Sequence, residues 1–157
     1  MEKTIEELIQ DLKSTDEFVR EEAVGLLEFN SKEAIDPLIK ALSDSDKEIR
    51  KGAAHVLGII KDPKAIDPLI NTLSDKNKLV RREASTALSH MGEVAVDPLM
   101  DTLNSPDWKV RGAAVWALGA IGDSRTVTSI EKLLNDDKNF VVVGAKYALD
   151  AIKNPKK

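Results

Sequence analysis

The strongest constraint on the fold of this chain is an internal repeat with a period of 30 or 31 residues. Its clearest copy is the segment VRGAAVWALGAIG at residues 110–122, and related segments occur four more times. Apolar residues recur there at i, i+4, i+7, i+8 and i+11, the spacing of one helix face, which predicts a buried face in every copy. The residues at these positions are Val19, Ala23, Leu26 and Leu27; Ile49, Ala53, Val56, Leu57 and Ile60; Val80, Ala84, Ala87, Leu88 and Met91; Val110, Ala114, Ala117, Leu118 and Ile121; and Val141, Ala145, Ala148, Leu149 and Ile152.

A second recurring segment precedes each copy. It reads AIDPLIKAL, AIDPLINTL and AVDPLMDTL in the three central repeats, and TIEELIQDL and TVTSIEKLL at the two ends. Its last leucine stands seven positions before the branched residue of the next helix; these leucines are Leu12, Leu42, Leu73, Leu103 and Leu134. Each repeat is therefore predicted to be two helices joined by a tight polar turn, and five of them predict a single all-α solenoid domain over residues 1–157. The predicted repeats span residues 4–30, 34–61, 65–92, 95–122 and 126–153.

Caps and prolines locate the helix ends. We predict side-chain N-caps three residues before the branched residue of each second helix, except in repeat 5, where the position holds Lys138. The predicted caps are Asp16, Asp46, Asn77 and Asp107. Pro37, Pro68 and Pro98 are expected in the first turn of their helices or just after a short preceding turn, because a proline there loses no helical hydrogen bond. The predicted repeat boundaries are residues 30–33, 61–64, 92–94 and 122–125.

Composition narrows the class of protein. The chain has no cysteine, which excludes disulfides, thiolate metal sites and a cysteine nucleophile. Its net charge of −4 gives no general reason to expect a polyanionic partner. The longest apolar run, residues 112–122, is too short to span a bilayer, and the acidic, helical start does not resemble a signal peptide. We therefore expect a cytoplasmic protein without a membrane partner.

The sequences AIDPLIKALSDSDKEIRKGAAHVLG and AVDPLMDTLNSPDWKVRGAAVWALGAIGD resemble HEAT repeats of the short phycobilisome-lyase HEAT-like type. The resemblance covers essentially the whole chain and implies a right-handed α-α superhelix whose concave surface is lined by the second helices. Proteins with this repeat include scaffolds, bilin lyases, tetrapyrrole-related proteins and a metal-dependent hydroxylase. Fold does not carry function with it.

An arginine follows the branched residue in four repeats, at Arg20, Arg50, Arg81 and Arg111. One interpretation is a row of anion-binding groups. The resemblance favours another, in which each guanidinium pairs with an aspartate of the same or the next repeat, such as Asp36, Asp67 or Asp97.

No catalytic, cofactor-binding or metal-binding residue is predicted. The hydroxylase relatives bind iron through His-Glu pairs, and this sequence has none; His55 and His90 stand at non-equivalent positions of different repeats. The glycines stand singly in or after helices, so no phosphate-binding loop is present.

The side of each second helix opposite the buried face carries the candidate partner-binding residues. Both tryptophans and the only tyrosine lie on or beside this side, and aromatic side chains placed outward often anchor interfaces. The alternative is that these long side chains cover the seams between helices. The predicted partner-binding residues are Trp116, Tyr147, Trp108, Phe140, Val143, His55, Lys51 and Arg82.

A basic edge lies at the start of the central second helices, at Lys47, Arg50, Lys51, Lys78, Arg81, Arg82, Lys109 and Arg111. Acidic residues interleave with it, so a self-compensating face is favoured over an acidic or phosphate-bearing partner. The apolar run at residues 140–143 is either a sealing contact on repeat 4 or an interface for self-association.

These patterns favour a non-enzymatic scaffold that holds a protein or peptide segment, with an acidic one as the more specific possibility. The alternative, which rests on the resemblance, is a bilin or tetrapyrrole lyase-like or chaperone factor. Nucleic-acid binding comes third because the net charge is acidic.

Overall fold

The computed structural model describes residues 2–156, which form ten α-helices and four short 3-10 turns without any strand. The helices are α1 (Ile5–Asp11), α2 (Glu17–Phe29), α3 (Ser31–Ala41), α4 (Lys47–Ile60), α5 (Ile66–Thr72), α6 (Lys78–Met91), α7 (Val96–Thr102), α8 (Trp108–Ile121), α9 (Val127–Glu131) and α10 (Asn139–Lys153). The 3-10 turns are Pro63–Ala65, Gly92–Ala95, Ser124–Thr126 and Lys132–Asn135. Odd-numbered helices are the first, and even-numbered helices the second, of each repeat. The predicted all-helical solenoid is thereby confirmed.

The starts of the even-numbered helices follow the predicted capping pattern. The carboxylates of Asp16, Asp46 and Asp107 and the side-chain oxygen of Asn77 each accept a hydrogen bond from a backbone N–H two residues later. Lys138 makes no side-chain cap at the start of α10. These caps satisfy helix N–H groups that have no carbonyl partner, so they fix where each helix begins.

The prolines divide into two cases. Pro68 and Pro98 are each the third residue of their helix and follow a 3-10 turn, as predicted. The prediction for Pro37 is wrong, since it is the seventh residue of α3. The boundary predicted at residues 30–33 is the single residue Asn30, since α3 begins directly after it and residues 31–33 are already helical. No proline or glycine stands between them and Pro37, so nothing forces the first turn out of the α conformation.

The buried strip runs the length of the stack. The predicted inward positions on α4, α6, α8 and α10 are buried or partly buried, and Ala53, Leu57, Ala84, Leu88 and Leu118 are completely so. Those on α2 are buried or half-buried apart from Leu26, which is exposed. Across residues 2–156, no helix combines the length and the apolar character needed to cross a membrane.

Leu26, which was predicted to be inward, is exposed, and so is Leu134 of repeat 5. Leu26 is 39% exposed, because its position packs on the preceding even-numbered helix elsewhere and α2 has no such neighbour in the described chain. Leu134 is 36% exposed, because it lies in a 3-10 turn and not in an α-helix, and this turns Leu133 toward the core in its place.

From α4 onward, the even-numbered helices pack directly on one another, more extensively than the odd-numbered ones do. Two glycines permit the closest approaches. A Cβ at Gly58 would lie 2.8 Å from the Cα of Ala87, and a Cβ at Gly119 would lie 2.8 Å from the Cα of Ala148. These glycines therefore set the spacing of α4 to α6 and of α8 to α10.

We expect Gly119→Ala and Gly25→Ala to have opposite effects on the free energy of unfolding. The first places a methyl group against the backbone of α10 and should lower stability by about 1–2 kcal/mol, even after the gain in helix propensity. The second meets no atom within 4 Å and should raise stability by about 0.5–1 kcal/mol. Urea unfolding of both variants measures this, and a stabilising Gly119→Ala would contradict the close approach.

Candidate interaction site

The most prominent surface feature is the aromatic cluster, which we define as Trp108, Trp116, Phe140 and Tyr147. Trp108 and Phe140 meet edge to face with ring centroids 5.7 Å apart, and Trp116 and Tyr147 lie 5.1 Å apart at an interplanar angle of 37°. The exposed fractions are 36% for Trp108, 38% for Trp116, 49% for Phe140 and 66% for Tyr147. The cluster is therefore preorganised by ring–ring contacts while a large part of each ring faces solvent.

Glycines on α8 and α10 make room for these rings. Gly112 has no side chain, and Phe140 occupies the space where a side chain would stand. The indole of Trp116 approaches Gly144 in the same way, since a Cβ there would lie 3.1 Å from Nε1. The rings thus cover the seam between the two helices, as the alternative interpretation had it, and are also exposed, as the interface interpretation requires.

The apolar run of repeat 5 is partly buried and partly exposed. Val141 is fully buried, and Phe140 packs on repeat 4 through Trp108 and Gly112. Val143 is 45% exposed on α10. The first two residues therefore seal the stack, while Val143 remains accessible.

A cavity of about 620 Å³ lies between α6 and α8, beside the aromatic cluster. Its apolar wall consists of Trp108, Ala113, Trp116, Ala117, Ala120 and Phe140. Its cationic side consists of Lys78, Arg81, Arg82 and Lys109. Among residues 2–156, none of these four cations forms an ion pair, although the ammonium of Lys109 lies 5.8 Å from the ring centroid of Trp108. This combination of apolar wall and uncompensated positive charge suits an amphipathic, acidic ligand.

Two of the four repeated arginines pair with an aspartate of the next repeat, as the resemblance implies, but these aspartates are not the ones expected. Arg50 binds Asp75 through Nε and Nη2 at 2.8 and 3.1 Å, and Arg111 binds Asp136 in the same way at 2.8 and 3.0 Å. Both aspartates lie in the turn between the two helices of the next repeat. Asp36, Asp67 and Asp97 were the wrong partners because they stand on the odd-numbered helices, whereas each arginine extends along the row of turns; Asp36 instead pairs with Lys64 at 2.6 Å.

The pKa values of the two aspartates reflect these ion pairs. Hydrogen bonds from Arg111 lower the pKa of Asp136, and they outweigh the opposing effect of burial. Burial is the larger single influence on Asp75 and opposes ionisation, but hydrogen bonds from Arg50 and from the N–H of Asn77 together lower its pKa. Both carboxyl groups are therefore held ionised at neutral pH, and each ties one repeat to the next.

Two predicted site residues lie elsewhere. Lys51 and His55 line a second cavity, between α2 and α4, together with carboxylates. The Nζ of Lys51 lies 2.7 Å from Glu48, and the Nδ1 of His55 lies 3.6 Å from Glu83, whose carboxylate raises the pKa of the imidazole. The structure therefore brings Arg82, Trp108, Trp116 and Phe140 to one cavity, with Tyr147 in contact, but not Lys51 and His55.

The comparison with family models settles the family. The model for HEAT repeats matches residues 5–89 and 66–150, which together span most of the sequence. The chain belongs to the HEAT-repeat family.

Solved structures agree with this assignment. The complex of CpcE and CpcF of phycocyanin lyase from Nostoc sp. PCC7120 contains a chain 27% identical to this one, matched over 97% of this chain and 66% of its own length with a TM-score of 0.60. YibA from Escherichia coli is 21% identical, matched over 99% of this chain and 61% of its own length with a TM-score of 0.61, and shows the fold alone. The present HEAT-repeat chain thus spans at most about two thirds of these proteins. No match was found among curated proteins.

Lys78, Arg81 and Lys109 of this HEAT-repeat protein are not among the predicted site residues, although they belong to the predicted basic edge. The interleaved acidic residues favour a compensated edge there. The sequence does indicate that one carboxylate is missing beside these cations, because Ser105 stands where the neighbouring HEAT repeats have Asp75 and Asp136.

Proposed function

We propose that this HEAT-repeat protein is a non-enzymatic scaffold that binds a segment of another protein on the surface formed by α6, α8 and α10. The observation that carries the proposal is the exposed aromatic cluster beside an apolar cavity. Exposed aromatic groups of this size on a protein surface are typical of interfaces, and their ring–ring contacts reduce the entropy lost on binding. The close packing of the even-numbered helices supports their position on the concave side of the stack.

The partner segment that fits this surface is acidic and carries at least one large apolar residue. The apolar residue would contact Trp116 and Tyr147, and acidic residues would face the cations of α6 and the start of α8. Charge complementarity favours this partner over a nucleic acid, because four cations line the cavity while the net charge of the chain is −4. The similarity to a chain of the CpcE–CpcF complex supports binding to a protein.

We expect Trp116→Ala to weaken partner binding by about thirtyfold, since truncating a central aromatic anchor commonly costs about 2 kcal/mol or more. A library of short random peptides displayed on phage supplies the ligand, and fluorescence anisotropy measures the affinity of the enriched peptides. Phe29→Ala is the matched control, because Phe29 is an exposed aromatic residue on α2, away from the cavity. Equal affinity of Trp116→Ala and the wild type would place the binding surface elsewhere.

The partner could also be a second copy of this chain, because Val143 and Tyr147 are both exposed on α10. Sedimentation velocity over a range of concentrations tests it. A monomer at every concentration would leave a different protein as the partner.

A lyase-related role is the second candidate function, and the similarity to the phycocyanin-lyase chain favours it. Incubation with a bilin should then shift the absorbance spectrum of the pigment. An unchanged spectrum would count against this role and leave the scaffold proposal intact.

A further inference from the structure

The two ion pairs between repeats share one geometry. In each, the arginine Nη1 donates to a backbone carbonyl in the turn of its own repeat, while Nε and Nη2 donate to an aspartate in the turn of the next repeat. For Arg50 the carbonyl is that of Asp44 at 2.9 Å, and for Arg111 it is that of Ser105 at 2.9 Å. The molecule therefore shows twice how an arginine at this position holds a carboxylate.

Among the described residues, Arg81 makes the contact with the carbonyl of its own turn but none with an aspartate in the turn of the next repeat. Its Nη1 donates to the carbonyl of Asp75 at 2.7 Å, which matches the anchoring of Arg50 and Arg111. The turn position of the next repeat is Ser105, whose hydroxyl accepts from the N–H of Asp107 at 3.2 Å. Within residues 2–156, Nε and Nη2 of Arg81 have no hydrogen-bonding partner.

Arg20 is the useful comparison. It too is anchored through Nη1, to the carbonyl of Ser14 at 2.7 Å, and is not within ion-pair distance of a carboxylate in the described chain. The turn of its next repeat, however, already carries Asp44. Only at Arg81 is the carboxylate itself missing from the turn.

The surroundings of Arg81 suit an external carboxylate. It lines the same cavity as Trp108 and Trp116, and Lys78, Arg82 and Lys109 add positive charge around it. An arginine held by a backbone carbonyl loses little further freedom when it binds, and its planar fork matches a carboxylate in a bidentate arrangement.

We propose that Arg81 binds a side-chain carboxylate of the partner segment, an Asp or a Glu, which takes the position that Asp75 takes on Arg50 and Asp136 takes on Arg111. This inference rests on the proposed scaffold function and adds a specific position to it. The ion pair that is missing between repeats 3 and 4 is then formed with the partner.

Ser105→Asp tests the proposal, because it supplies the missing carboxylate from within the chain. Asp75 and Asp136 accept the turn N–H through Oδ1 while they bind arginine, so an aspartate at 105 can do both. We expect peptides selected on the wild type to be enriched in Asp and Glu, and to bind Ser105→Asp at least about tenfold more weakly. Ser105→Asn is the matched control and should bind them as the wild type does.

Arg81→Gln and Arg81→Lys test the same position without a new ion pair. Both substitutions should weaken the binding of the selected acidic peptides at least about tenfold, since Gln lacks the charge and Lys keeps the charge but lacks the planar fork of the guanidinium. Changing Glu to Gln in such a peptide should weaken binding to the wild type and have no effect on Arg81→Gln. If the library yields no binder, the scaffold proposal itself fails. If enriched peptides bind the Arg81 variants and Ser105→Asp as tightly as the wild type, the scaffold proposal is retained and the proposed carboxylate position is overturned.

Discussion

Asp136→Asn is expected to lower the free energy of unfolding by about 3 kcal/mol. The carboxylate of Asp136 is only 7% exposed, and it receives two hydrogen bonds from Arg111, which is itself largely buried. Asparagine keeps the turn hydrogen bond to the N–H of Lys138 but cannot balance the charge of the guanidinium. The loss is large because it leaves a charge that is screened from water without its partner. Urea unfolding at neutral pH measures it.

Asp137→Asn is the matched control for this prediction. Asp137 also faces Arg111, at 3.4 Å from Nη2, but it is 81% exposed. An exposed pair of this kind contributes little, so we expect a change below about 0.5 kcal/mol. Equal effects of the two substitutions would mean that Arg111 is stabilised by its general surroundings and not by the bidentate pair with Asp136.

The pH dependence provides a further test of the same ion pair. Because the pKa of Asp136 is lowered in the folded state, its contribution to stability is present above the ordinary carboxyl pKa and is lost as pH falls through the folded value. The difference in stability between the wild type and Asp136→Asn should therefore narrow below about pH 4. A difference that stays constant down to that range would show that the carboxylate is not held ionised by Arg111.

The repeat period and the phase of its apolar residues determine most of the fold. The period of an α-helix assigns the inward face of α4, α6, α8 and α10 without any knowledge of the neighbours. It fails at Leu26 because burial there depends on a preceding helix, which no local pattern describes. It does not apply at Leu134, because that residue lies in a 3-10 turn, whose period differs from that of an α-helix.

The candidate site could be predicted only where it depends on the direction of single side chains. Trp116 and Tyr147 are predicted on the helix face opposite the buried one, and both are exposed in the structure. The partners of the arginines could not be predicted in this way, because they depend on distances between the turns of successive repeats. The same limit concealed the missing carboxylate at Ser105, which becomes apparent only once Asp75 and Asp136 are known to bind arginine.

Leu88→Ala is expected to lower the free energy of unfolding by about 2–5 kcal/mol, the range for removing a fully buried leucine and leaving a cavity. Leu88 is completely buried on α6, the second helix of the central repeat. Leu79→Ala is the control, since Leu79 is 45% exposed on the same helix and should change stability far less. Urea unfolding of the three proteins compares them directly.

The position of Leu88 in the stack makes the pattern of the loss as informative as its size. Stability in a solenoid is the sum of the stability of each repeat and of its contacts with its neighbours. Loosening α6 removes support from α4 on one side and α8 on the other, so amide hydrogen exchange in Leu88→Ala should accelerate in repeats 2 and 4 as well as in repeat 3. Two results would show that the repeats do not stabilise one another: faster exchange confined to α6 in Leu88→Ala, or a wild type whose central repeat exchanges faster than its ends. The surface formed by α6, α8 and α10 would then lack the rigid support that preorganised binding requires.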